Sequence, residues 1–159
     1  MQKPQARSSR RRSTSAIKFA ETSLTKIHGY SNNPREHSAA QIAAIARSIA
    51  SSGFINPLII DRSGEIIAGH GRFEAAKLVG LEAVPTITVS HLGEAQKRAY
   101  RIADNRLAEV GTSWSYEMLK IEVGAILELD ADFDIELTGF DARELELKFD
   151  AAHVAVPDD

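Results

Sequence analysis

The residues from Ile66 to Gly80 place an apolar run, a Gly-His-Gly-Arg turn and an alanine-rich segment in immediate succession. Few local structures satisfy that order. Glu65 to Ala68 reads as a buried strand, and Arg72 starts a stretch with helical spacing that ends at Gly80. Glycines at a strand-to-helix turn let backbone amides approach a ligand closely, and the free N–H groups of a first helical turn favour anions. Arg72 would add a guanidinium suited to phosphate oxygens. The glycines taken alone are equally served by plain tight packing.

The elements on either side define a sheet-and-helix domain. A strand is expected near Leu24 to His28, followed by a loop through Asn33-Pro34-Arg35-Glu36-His37, where Pro34 pushes Asn33 out of helical backbone. Ser38 with Gln41 forms a capping-box pattern, and Ile42, Ile45, Ala46 and Ile49 make one stripe of a helix ending at Gly53. Leu58-Ile59-Ile60, the turn Asp61 to Gly64 and the strand Glu65 to Ala68 read as a hairpin. Val84 to Val89 is a further strand, which Pro85 places at an edge or a strand start.

From Glu94 to about Ala108 the spacing predicts a helix with Ala95, Ala99, Tyr100, Ile102, Ala103 and Leu107 on one arc. Lys97, Arg98, Arg101, Asp104 and Asn105 lie opposite, and Arg106 falls inside the apolar arc. A charge there must snorkel, pair or meet a ligand. A second amphipathic helix follows over Tyr116 to Leu129, then an acidic break, then a short helix capped by Asp141.

Charge divides the chain. Residues 1–20 hold Lys3, Arg7, Arg10, Arg11, Arg12 and Lys18 without one acid, whereas residues 109–159 carry three basic and fourteen acidic side chains. Any nucleic-acid contact therefore falls to the first two-thirds of the chain, where Arg7, Arg10, Arg11 and Arg12 read as a disordered basic arm open to three roles: a nucleic-acid-contacting tail, a targeting peptide or a solvated end with none; phosphate would be repelled by the last part. The domain plan is an arm over 1–20, a folded domain over 22–108, a helical acidic extension over 109–150 and a tail over 151–159. No apolar run approaches the roughly 20 residues of a membrane span. The absence of cysteine fits a cytoplasmic setting and excludes thiol chemistry and a zinc-thiolate site. His28, His91 and His153 show no metal-ligand spacing with one another.

Three polar clusters interrupt the apolar pattern: Asn33-Pro34-Arg35, Gly69-His70-Gly71-Arg72-Phe73-Glu74-Ala75 and Asp104-Asn105-Arg106. In that order they resemble the ParB/sulfiredoxin superfamily, in particular the ParB-like N-terminal domains linked to DNA methyltransferases. The resemblance covers about residues 22–108. It implies an α/β (α+β) fold with a small mixed sheet, and a Gly-x-x-Arg turn that holds nucleotide phosphates: CTP with magnesium in ParB proper, ATP in relatives that transfer phosphoryl groups. On this reading Arg35, Gly69, His70, Gly71, Arg72, Asn105 and Arg106 bind the nucleotide, and Asp104 with Asn105 supplies hard oxygen ligands for Mg²⁺.

The pattern also departs from the family. ParB proper carries a charged pair where this chain has His70-Gly71, and sulfiredoxin needs a cysteine that is missing here. No helix-turn-helix segment is expected after residue 109, where the chain is short and acidic. The leading expectation is a regulatory or specificity module of a DNA-modification system, binding DNA and a nucleoside triphosphate, with a DNA methyltransferase module as a partner. No methyl-transfer motif occurs in the chain itself. Two alternatives stand beside it: a small nuclease, NTP hydrolase or kinase using His37, His70 and Asp104 as catalytic candidates, and a protein-interaction adaptor.

Overall fold

The computed structural model describes residues 16–154. Arg7, Arg10, Arg11 and Arg12 lie outside the described residues.

Four strands form one mixed sheet in the order β1-β4-β2-β3. β1 (Ile17–Ser23) runs antiparallel to β4 (Ala83–Val89), β4 lies parallel to β2 (Leu58–Ile60), and β2 pairs with β3 (Ile66–Ala68) as the expected hairpin. The hairpin turn is held by Asp61, whose Oδ1 accepts from the amides of Ser63 and Glu65 at 2.9 and 3.0 Å. α2 (His70–Val79) lies on the sheet, and α1 (Ala39–Ser52) packs on α2. Leu58, Ile60, Ile66, Phe73, Ala76 and Val84 form the core, and Phe54 and Leu81 join it to Ala46, Ile49 and Ala75 between the helices. The stripe read from Ile42 to Ile49 is thus the packed face of α1. Ser38 Oγ caps it by accepting from the Gln41 amide at 3.1 Å, and Gly53 ends it at φ 83°.

Three details differ from the sequence reading. The first strand is Ile17–Ser23, and its first four residues lie in the stretch assigned to the arm. Its Lys18 and Glu21 read as loop-like, but charges are common on an edge strand, and β1 has a neighbour on one side only. Leu24–Lys26 is instead a 3-10 turn, entered at Ser23, whose Oγ accepts from the Thr25 amide. Pro85 stands within a central strand. The β2 pairing begins only at Thr86, so the residue that cannot donate has a strand neighbour on the β1 side alone.

The third difference concerns α3 (Glu94–Glu109), which turns its polar face inward. Arg101 is 1% exposed, while Ile102 and Leu107 are 58% and 70% exposed. What α3 meets explains the inversion: it docks on the hairpin side of the sheet, where Ile66 presents a carbonyl and Glu65 and Asp61 present carboxylates. Arg101 donates to Ile66 O at 3.2 Å and to Glu65 Oε1 at 2.9 Å, and Lys97 donates to Asp61 Oδ2 at 3.0 Å. Cations at i and i+4 satisfy that surface; apolar side chains would leave its oxygens unpaired.

Beyond α3, α4 (Tyr116–Leu129) and α5 (Ala142–Val154) pack on each other through Val123 and Leu145, both buried. Asp141 Oδ1 accepts from the Glu144 amide at 3.0 Å, as the capping pattern anticipates. α5 continues to Val154, past the tail expected from residue 151. Between them the 3-10 turn Ile135–Thr138 lies against α1, where Glu136 pairs with Arg47 at 3.5 Å.

Candidate functional site

The turn between β3 and α2 requires both of its glycines. Gly69 adopts φ 107°, and a Cβ there would meet Leu58 Cδ2 at 2.5 Å and Arg72 Nη2 at 2.9 Å. Gly71 is buried; its missing Cβ leaves room for His37 Cε1 and Nδ1, each at 3.1 Å from that position. Tight packing and a close approach to a ligand are therefore not rivals here. The first glycine turns the chain, and the second lets the Asn33-to-His37 loop close over the start of α2. That helix begins at His70, two residues before the expected start, and no side chain caps its first turn. Its leading amides remain directed to whatever occupies the space in front of them.

That space is a cavity of about 190 Å³. Asn33, Arg35 and His37 line it from the loop, Gln41 and Ile45 from α1, Gly69 to Arg72 from the turn, Ile67 and Ala68 from β3, and Asp104 and Asn105 from α3. All three sequence clusters thus meet at one place, although Ala75 and Asp104, like Arg35 and Gly69, lie far apart along the chain. Arg106 is the exception. It is exposed, pairs with Glu109 Oε2 at 3.4 Å and borders a neighbouring hollow instead.

Each polar member has a defined state. Arg72 donates from Nη2 to Pro57 O at 3.1 Å, while its Nε is buried without a partner. Burial lowers its pKa and the nearby Asp104 raises it; a guanidinium stays charged regardless. Arg72 lines the cavity as a cation whose donors the chain itself satisfies only in part, a group suited to an anionic oxygen. His70 Nε2 accepts from the Tyr30 amide at 3.1 Å, which fixes the neutral tautomer with the proton on Nδ1. Burial, followed by the charge of Arg101 and by His37, pushes its pKa down to about 4. His37 Nδ1 lies 3.1 Å from Gln41 Oε1, and Asn33 holds its own loop by donating to Arg35 O at 2.9 Å. Asn105 donates to Arg101 O at 2.9 Å, within α3. Among the described residues no group of three His, Cys, Asp or Glu could hold a metal ion. Asp104 and Asn105 are hard oxygen donors at the cavity, and a Mg²⁺ held by them would have to take its remaining ligands from phosphate and water.

Two residues escaped the sequence reading. Arg101 was placed on the solvent face, yet it is the buried clamp between α3 and β3, and its guanidinium stacks 3.7 Å from the centre of the Tyr30 ring. Tyr30 in turn holds His70 through its amide. The signal was present: Lys97, Arg101 and Asn105 repeat at i, i+4 and i+8 as regularly as the apolar set.

Comparison with known families agrees with this geometry. Residues 7–106 match the ParB N-terminal domain. The chain belongs to that family. Residues 117–159 match the ParB-methyltransferase HTH domain, which overturns the expectation that no helix-turn-helix segment follows. Acidic charge speaks to what a surface attracts and leaves open which fold the helices adopt. Among ParB relatives, the ParB-like nuclease domain-containing protein YnaK of Escherichia coli strain K12 is 42% identical over 82 residues, 52% of this chain and 94% of that protein. Stage 0 sporulation protein J of Bacillus subtilis is 40% identical over 76 residues, 45% of this chain but only 27% of that protein. In three dimensions the chain resembles the C-terminally truncated chromosome-partitioning protein ParB of Caulobacter crescentus complexed with CTP-gamma-S. The TM-score is 0.65 at 18% identity, over 89% of this chain and 81% of that one, a likeness of fold. No described helix is long and apolar enough to cross a membrane.

Proposed function

We propose that the chain is a ParB-like module that binds a nucleoside triphosphate with Mg²⁺ in the cavity before α2 and acts as the regulatory or specificity part of a DNA-modification system. The observation that carries this reading is Arg72, a half-buried arginine that lines a cavity faced by an uncapped helix N-terminus and keeps one guanidinium donor, Nε, without a partner. Phosphate supplies what both lack, an acceptor and negative charge. Arg35 adds a second cation, and Asp104 with Asn105 takes the metal side. CTP-gamma-S in the Caulobacter relative makes CTP the first nucleotide to test, and ATP the second.

The geometry favours binding over turnover. His70, a candidate general base, already uses Nε2 to hold the Tyr30 amide. Asp104 is the one carboxylate among the cavity-lining residues, where a two-metal phosphodiester cleavage calls for more, so the nuclease label of YnaK finds thin support. DNA contact falls to the basic residues before β1, and the match to the HTH domain supports a link to DNA modification.

Calorimetric titration of CTP and ATP with Mg²⁺ into wild type and Arg72→Ala tests the proposal, with released phosphate followed in parallel. The expected result is saturable binding by wild type, loss of at least about tenfold in affinity in the variant, and no steady phosphate release. Absence of binding by wild type contradicts the proposal, and sustained release replaces a switch with an enzyme.

A further inference from the structure

The two arginines of the cavity are partnered differently. Arg72 donates to a backbone carbonyl, whereas Arg35 donates from Nη1 to the Glu109 carboxylate. Glu109 lies on the far side of Arg35: it borders an adjacent hollow of about 180 Å³ with Pro34, Ile102 and Arg106, and Arg35 and Asn105 belong to the walls of both spaces. Arg35 therefore stands between a place for phosphate and a carboxylate of the chain itself.

Resting on the nucleotide reading above, we infer that Glu109 is a built-in competitor for Arg35, an affinity-setting residue that lowers the hold of the site on nucleotide phosphate without touching it. A guanidinium that serves two anions at once brings like charges close together, so each anion weakens the other, and the coupling is reciprocal. The hydrogen bond from Arg35, followed by its charge and then by Arg106, holds the Glu109 carboxyl below its ordinary pKa, so the competitor is ionised at neutral pH. The contact is well exposed on both sides, 37% for Arg35 and 48% for Glu109. Its strength is that of a surface pair, enough to tune affinity and too little to close the site.

The test compares wild type, Glu109→Gln and Glu36→Gln in titrations with CTP and ATP plus Mg²⁺, at low and at moderate salt. Glu36 is the sequence neighbour of Arg35, so its neutralisation reports the general gain from removing a negative charge nearby. Glu109→Gln is expected to bind about two- to fivefold tighter at low salt, with the gap narrowing as salt rises. Glu36→Gln should stay close to wild type. Equal or weaker binding by Glu109→Gln overturns the inference, and so does an equal gain in Glu36→Gln. Binding by wild type with no gain in Glu109→Gln leaves the nucleotide reading standing and removes only the competitor. Binding by neither removes both.

Discussion

Arg101 is the side chain on which most of the site depends, although it does not line the cavity. It joins the helix that carries Asp104 and Asn105 to the strand that launches the glycine turn, and it stacks on Tyr30, which holds His70. Arg101→Met should cost about 2–4 kcal/mol in urea unfolding, because the Glu65 carboxylate and the Ile66 carbonyl lose a buried donor. Gly69→Ala should cost about 1–3 kcal/mol and shift Arg72, since the new methyl group meets Leu58 and the backbone is left-handed there. His70 gives a pH signature. Its folded pKa, about 4, lies below the ordinary 6.5, so the unfolded chain binds the extra proton first and stability falls as pH drops from 6.5 towards 4. A histidine ring titration by NMR should place His70 near the lower value, and a His70→Gln variant should flatten stability across that window. Asp61 behaves separately. Burial raises its pKa, but the hydrogen bonds from Ser63, Lys97 and the Glu65 and Ser63 amides outweigh this and hold it at about 2, so its contribution is lost only below pH 3.8.

At the scale of elements, α3 shows how a helix can read correctly in extent and wrongly in orientation. Its length and its Asp104-Asn105 end were legible because helical spacing and a polar interruption are local properties. Its buried face was not, because an apolar arc turns inward only when the partner surface is apolar, and the hairpin here offers oxygens. Lys97 and Arg101 answer Asp61 and Glu65 across a contact that no window of sequence contains. Neutralising Asp61 with Asn should therefore speed amide exchange in α3 more than in α2, which packs through Phe73, Ala75 and Ala76. Comparable acceleration in both helices would mean that α3 is held by something else. The hairpin and α1 were readable throughout, and the glycine turn was readable apart from the exact start of its helix, since each is built from near neighbours: Ser38 with Gln41, Asp61 with Ser63, Gly69 with Arg72. β1 was missed because its partner, β4, lies far along the chain, with Ile17 opposite Val89 and Ser23 opposite Ala83, and its own sequence carries charges.

For the whole molecule, charge and fold divide the work. Residues before β1 concentrate Lys3, Arg7, Arg10, Arg11 and Arg12, and the helices matching the HTH domain are acidic. Removal of residues 1–15, which spares β1, should lower the slope of log affinity for DNA against log salt by about 4.5 if all five cations contact phosphate. An unchanged slope would move the DNA contact into the folded domain. The central claim is the phosphate site itself, and backbone amides report it most directly. In ¹H–¹⁵N spectra, titration with CTP or ATP and Mg²⁺ should shift His70, Gly71 and Arg72 together with Arg35 and Asn105, and leave the α4–α5 pair largely still. Saturating nucleotide that leaves residues 69–72 unmoved would contradict the account.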